Sequence, residues 1–367
     1  MKKTFLIVLI FIALVFLGKK RIETTYFNET FQKTSLENFQ DEVVEKDIKL
    51  ITLGEDHNFF STYDISLDFL KLLYETRNIR HFLLEFPPAN AEYANRFVLS
   101  GNEEYLYKAI NFPGVINNKY KIQHVKFENF FRDLYEFNRS KTFEEKIKLV
   151  GVDLEFRPHP FLNFLLTEVV KDRNLKGEIK DLLVKYPDTH TKTYTKDHKT
   201  FLKKLQRKLG KDLDTMTRYF IKNAIDTSTI HQTKALEINK REVHISRNVE
   251  DISKLYPNET FILVLGRGHI FKSVVNRFTS CVYLLNSNSD YFKDKILSID
   301  LERKSNIKSN SSLKNIYTED KSFYKLLNSG MFNKFSNFIL PKKKISDNEI
   351  FENGQKYSDV YDYLIIK

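Results

Sequence analysis

Two short stretches constrain this 367-residue chain more than any others: Leu53-Gly-Glu-Asp-His-Asn58 and Gly266-Arg-Gly-His269. Each follows a strand-like apolar run, Ile48 to Leu53 in one case and Phe261 to Leu265 in the other. Each then combines a glycine turn with a histidine just beyond it. Ligands of open parallel sheets bind at the carboxyl ends of the strands, so the pattern predicts that His57 and His269 face one cleft. A third run, His81-Phe-Leu-Leu-Glu-Phe86, is stopped by Pro87 and Pro88. A fourth, Ile147 to Val152, leads into Asp153-Leu-Glu155. Asp64 to Thr76 carries apolar residues at helical spacing. The resulting strand–helix–strand order implies a parallel pair with a right-handed crossover.

Residues 89 to 145 read as mainly helical, with a break at Asn111-Phe-Pro-Gly114. Residues 161 to 256 are charged, apolar-periodic and almost free of Gly and Pro, which predicts several helices. One of these is long, from about Ser228 to Leu255, and ends at Pro257. Cys281 to Leu285, Ile296 to Leu301 and Val360 to Ile366 read as further strands, and residues 302 to 312 as a loop. No internal repeat is visible. The expectation is an α/β fold: a mainly parallel β-sheet core flanked by helices, in a domain spanning 47–367 with a large helical insertion at about 161–256.

Lys2 and Lys3 precede an apolar run from Phe5 to Leu17, and Lys19, Lys20 and Arg21 follow it. The run is shorter than the ~20 residues a spanning helix needs, and no small-x-small cleavage site stands out. Residues 1–22 are therefore read as a signal peptide or an N-terminal membrane anchor, and 23–46 as a linker or lead-in helix. Either reading places the domain outside the cytoplasm. Of the net charge of +11, five positive charges fall in residues 1–21, leaving +6 for the rest. Those charges alternate with acids and form no basic stripe, so nucleic acid is not an expected partner. The single cysteine, Cys281, excludes an internal disulfide and a thiolate-bound zinc site.

The residues able to carry chemistry sit at the strand ends. His57 can act as a base, with Glu55 orienting it, working beside it or capping the next helix. Glu85 ends an apolar strand, where a carboxylate is costly to bury unless paired. Asp153 and Glu155 end the next strand, and either can join the crevice. His159, between two prolines, reads as a loop residue. Arg241, His244 and Asn248 share one helix face, which is either an anion clamp or a solvated surface. Neither Gly-x-Ser-x-Gly nor His-Glu-x-x-His occurs. Histidine and carboxylate chemistry on water remains.

In order, Leu53-Gly-Glu-Asp-His57, Leu83-Leu-Glu85, Gly151-Val-Asp153, Arg241-Glu-x-x-Ile-x-x-Asn248 and Val264-Leu-Gly-Arg-Gly-His269 resemble the erythromycin esterase-like and ChaN-like superfamily, which includes the TraB and Tiki proteins. The resemblance implies a hydrolase in which His57 activates water and Glu55, Glu85 and His269 complete the catalytic group. Arg241, Asp153 and Asn248 would bind a small-molecule substrate with an ester, lactone or amide bond. One residue separates Glu55 from His57, where erythromycin esterases have two; this spacing is more like the ChaN and Tiki branches. The resemblance requires no cofactor for the esterase-like reaction, and is compatible with a divalent metal or haem. A haem- or iron-handling protein resembling ChaN is the alternative. Fractionation of cells expressing the full-length chain and a chain lacking residues 1–21 checks the N-terminal reading: the full-length form is expected in the membrane or exported fraction, and its recovery wholly in the cytosol would refute it.

Overall fold

The computed structural model describes residues 47–55, 61–110, 121–187, 194–230, 237–275, 277–302, 338–341 and 359–366. Among the described residues seven strands form one sheet: β1 (Leu50–Glu55), β2 (His81–Leu84), β3 (Lys148–Gly151), β4 (Phe261–Gly266), β5 (Ile296–Glu302), β6 (Phe338–Pro341) and β7 (Tyr363–Ile366). Their order is β3-β2-β4-β1-β5-β7-β6. Every pairing is parallel except β6 with β7. All residues of β1 and β4 are buried. Parallel strands covered on both faces need such continuous apolar runs. The expected α/β class is what the chain adopts.

Several differences follow from packing and local hydrogen bonding. The strands β1 and β2 do not pair directly, because β4 lies between them, with Val264 opposite both Leu53 and Leu84. The run Phe-Ile-Leu-Val-Leu-Gly has no polar side to show water, so it takes a central place. Gly54 lies inside β1 and is not a turn. A Cβ there would meet Ile270 Cδ1 at 2.6 Å and the Arg267 backbone at 3.3 Å. Nor does Gly266 use a left-handed conformation, since its φ is −54°. The run Cys281 to Leu285, expected as a strand, is helical, because Ser280 caps it by accepting a hydrogen bond from the Tyr283 N–H at 3.0 Å. The edge strand β6 was not anticipated; it ends at Pro341, a residue suited to a sheet edge.

Helices connect the strands. Between β1 and β2 runs α1 (Ser61–Leu73). Between β2 and β3 run α2 (Pro88–Ser100), α3 (Glu103–Ile110) and α4 (Lys121–Asn138). Between β3 and β4 comes the expected helical stretch. It comprises α5 (Pro158–Phe164), continued by a π-helical turn over Leu165–Val169, then α6 (Arg173–Lys185), α7 (Lys196–Leu209), α8 (Thr215–Thr227) and α9 (Glu237–Leu255). His159 is thus in the first turn of a helix, because Pro158 starts α5 at its first position. Ser228 ends α8 instead of starting the long helix, and its N–H bonds Ala224 O at 3.1 Å. A 3₁₀ turn, Arg267–Ile270, follows β4, and α10 (Cys281–Asn288) precedes β5.

The N-terminal segment 1–46 and the break at 111–114 lie outside the described residues, as does the loop expected at 302–312 except for Glu302, which ends β5. No helix among the described residues is long and apolar enough to cross a membrane. The close approach at Gly54 generates a test. Gly54→Val should lower unfolding stability by about 1–3 kcal/mol through overpacking, measured as the denaturant midpoint. An unchanged midpoint would show that the 3₁₀ turn does not press on β1.

Candidate functional site

The order β2-β4-β1 sets the ends of these three strands side by side, as parallel strands require. Glu55 is in register with Gly266. Glu85, the residue after β2, bonds back to the same strand: its N–H donates to Val264 O at 3.1 Å, and its Oε2 accepts the Gly266 N–H at 2.5 Å. Glu55 faces a different partner. Its Oε2 lies 2.7 Å from Nζ of Lys126 on α4, and both side chains are buried. The Lys126 ammonium lies 4.8 Å from the Tyr63 ring centroid and 5.3 Å from that of Phe127, a cation–π setting that supports a buried cation. Sequence reasoning missed Lys126. Its signal was its spacing of four and eight residues from Phe130 and Leu134, which puts it on the buried stripe of α4.

Arg241 on α9 joins the strand ends. Its Nε and Nη2 grip the two Asp153 carboxylate oxygens at 2.9 and 2.7 Å, and Nη2 also donates to Glu85 Oε1 at 2.6 Å. Bidentate arginine–carboxylate pairs of this kind fix orientation as well as charge. His269, on the 3₁₀ turn, places Nε2 3.4 Å from both Arg241 Nη1 and Glu85 Oε1. Its Nδ1 lies 2.6 Å from Oε1 of the fully buried Glu242. A chain of charged groups thus runs Asp153–Arg241–Glu85–His269–Glu242. Glu242 is a second residue that sequence reasoning did not single out as a site group; it was visible only as the neighbour of Arg241 on a charged helix.

The other expected residues divide. Asn248 points inward with Arg241, but its amide donates to Val152 O at 2.8 Å and so secures the end of β3. His244 is half-buried, and burial lowers its pKa. Glu155 is fully buried and accepts the Ala89 N–H at 2.9 Å, in the first turn of α2. Burial pushes its carboxyl up to about 8, reinforced by Asp153 against the Ala89 hydrogen bond. His57 lies outside the described residues, so the meeting of catalytic candidates is seen for Glu85 with His269, while Glu55 stands on the neighbouring strand.

Electrostatics follow from the geometry. Burial opposes ionisation of Glu85, yet His269, Arg241 and the Gly266 N–H outweigh it and hold its carboxyl well below the usual range. Burial likewise disfavours a charged His269, but hydrogen bonds to Glu242 and Glu85 raise it to about 10. The Arg241 guanidinium is also held more firmly protonated, by Asp153 and Glu85 against burial. No group of three or more His, Cys, Asp or Glu among the described residues is arranged to hold a metal ion; between Glu85 and Asp153 the protein supplies its own cation, Arg241. The arrangement offers a guanidinium and an imidazolium, both clamped by carboxylates, at the carboxyl edge of a sheet. Such preorganised positive groups stabilise an oxyanion.

The stability consequence has a definite sign. A raised histidine pKa means that His269 contributes fully below its ordinary 6.5 and that the contribution is lost as pH rises toward about 10. Glu85, with a lowered pKa, contributes above the ordinary 4.5 and loses that contribution as pH falls below it. Glu155 also weakens the fold with rising pH, between its ordinary 4.5 and about 8. Comparison of wild type with His269→Gln isolates the histidine: the stability difference should be largest near pH 6 and shrink by pH 10. A difference that does not change with pH would contradict the assignment.

No family model matches the chain, and no curated protein matches it. Solved structures do. A succinoglycan biosynthesis protein superposes with a TM-score of 0.62 over 92% of each chain at 12% identity. A Bacillus cereus protein gives 0.60 over 92% of each chain at 14% identity. A histidine-to-asparagine mutant of the erythromycin esterase EreC, in its open conformation, gives 0.58 at 14% identity, over 91% of this chain and 94% of that one. The chain therefore has the erythromycin esterase-like fold.

Proposed function

We propose that the protein is a hydrolase that cleaves an ester, lactone or amide bond of a small molecule with water as nucleophile. The observation that carries this reading is the convergence of Arg241 and His269 on Glu85, with distances of 2.6 and 3.4 Å, at adjacent strand ends. The erythromycin esterase among the structural neighbours supports it. Arg241 cannot act as a base, and His269 is already protonated at neutral pH. Both are suited to a developing negative charge.

In this mechanism His57, two residues beyond Glu55, takes a proton from water as its oxygen bonds to the acyl carbon. The carbonyl oxygen becomes an oxyanion beside Arg241 and His269. Collapse re-forms the carbonyl and breaks the bond to the leaving oxygen or nitrogen, which recovers the proton from His57. The Lys126–Glu55 pair steadies the end of β1, from which the His57 segment departs. No metal or cofactor enters these steps. We further propose that residues 1–21 export or anchor the domain outside the cytoplasm, where a small-molecule substrate would meet it.

His57→Ala tests the proposal. A general base contributes about 10²–10⁴-fold in rate, so turnover of ester and lactone substrates should fall by that factor while circular dichroism stays unchanged. Full turnover in the folded variant would remove His57 from the mechanism. Absence of turnover by wild type, with a Soret band on adding haem, would favour the ChaN-like alternative.

A further inference from the structure

Glu242 stands in the sequence as one of many charged positions on a long polar helix, yet its side chain is fully buried. Each of its oxygens has one partner. Oε1 is 2.6 Å from His269 Nδ1, and Oε2 accepts the Cys281 N–H at 2.8 Å, at the start of α10. We propose that Glu242 is a positioning residue that fixes His269 as a permanent hydrogen-bond donor and cation, with Nε2 turned toward the reacting oxygen, so that His269 stabilises charge and never serves as the base. The kinetic part of this proposal rests on the hydrolase reading; the state of the His269 ring does not.

The argument starts from what each group can do. An ionised carboxylate only accepts hydrogen bonds, and the Cys281 amide only donates. The Cys281 bond therefore anchors Glu242 as an acceptor, at a helix N-terminus that favours negative charge. Its other oxygen then requires a proton on His269 Nδ1. That leaves Nε2 facing Glu85 Oε1 and Arg241 Nη1, each at 3.4 Å. The groups around the ring are Glu242 and Arg241 from α9, Glu85 after β2, and the Phe278 ring at 6.4 Å between centroids; Cys281 at the start of α10 acts through its N–H on Glu242. Two carboxylates oppose one guanidinium. A histidine oriented by a single carboxylate can still cycle as a base near neutral pH; a second carboxylate on the far nitrogen takes that ability away. The side chain of His269 is 14% exposed, so the ring retains an open edge.

A histidine titration tests the proposal. The full-length chain carries ¹³Cε1-histidine, and the signal missing from His269→Gln identifies His269 among nine histidines. In wild type that signal should remain imidazolium through pH 9. In Glu242→Gln, which keeps the shape and an acceptor for Cys281, its midpoint should fall to about 7 or below. Glu242→Asp should restore most of the shift. In turnover, the alkaline loss of kcat/KM should move from near 10 to near 7 in Glu242→Gln, with kcat down about 10²-fold, the loss typical of an oxyanion donor. Wild-type titration below pH 8, or an unmoved midpoint in Glu242→Gln, would overturn the proposal. If Glu242→Gln does not fold, the wild-type titration and the Glu242→Asp variant still decide it. Absence of turnover with the predicted titration would count against the hydrolase reading and leave the Glu242 role standing.

Discussion

The guanidinium of Arg241 is the group on which the rest of the molecule depends. Glu85 and Asp153 end adjacent strands β2 and β3 with side chains only 11% and 3% exposed. Removing a carboxylate from water costs several kcal/mol unless a well-placed partner compensates. Gly266 of the sheet gives Glu85 one N–H, but the cation that both carboxylates share comes from elsewhere. It arrives from α9, at the far end of the helical stretch between β3 and β4. The insertion is therefore bound to the sheet edge by charge, and Asn248, from the same helix, closes the end of β3 through Val152. The carboxylates at these strand ends have their cation only where the insertion packs on the sheet edge.

That constraint holds the two cations in fixed hydrogen bonds without any ligand. Arg241 is held by three oxygens, Glu85 by Arg241 and the Gly266 N–H, and His269 by Glu242. Positive groups with so little freedom need no reorganisation when negative charge develops beside them. The same carboxylates that hold the cations also raise the proton affinity of His269, which in the proposed reaction separates the work of the two histidines: His269 on the cationic side, and His57, two residues beyond Glu55 in the sequence, as the acceptor of the proton.

Much of this was legible in the sequence, for identifiable reasons. Apolar runs of four to six residues ending in Glu55, Glu85, Asp153 and Gly266 mark parallel strands, and parallel strands present their carboxyl ends on one edge. That logic put Glu85, Asp153 and His269 at one edge, while the spacing of Arg241, His244 and Asn248 set them on one helix face without deciding between an anion clamp and a solvated surface. Strand order was not legible, because local periodicity does not say which of several apolar runs is central. The Cys281 helix was misread because its apolar run has no helical spacing, and its start depends on Ser280 and on Glu242, which is 39 residues away. Lys126 and Glu242 escaped for a related reason: a charged residue on a charged helix looks solvated until its tertiary partner is known.

The most direct test of the account is a crystal structure of the full chain with a phosphonate analogue of an ester or lactone, whose charged oxygen stands in for the oxyanion. The account predicts that oxygen within hydrogen-bonding distance of Arg241 and His269 Nε2, with the His57 ring on the side from which water attacks. An analogue bound away from the ends of β1, β2 and β4, or a phosphonate oxygen turned from both cations, would contradict it.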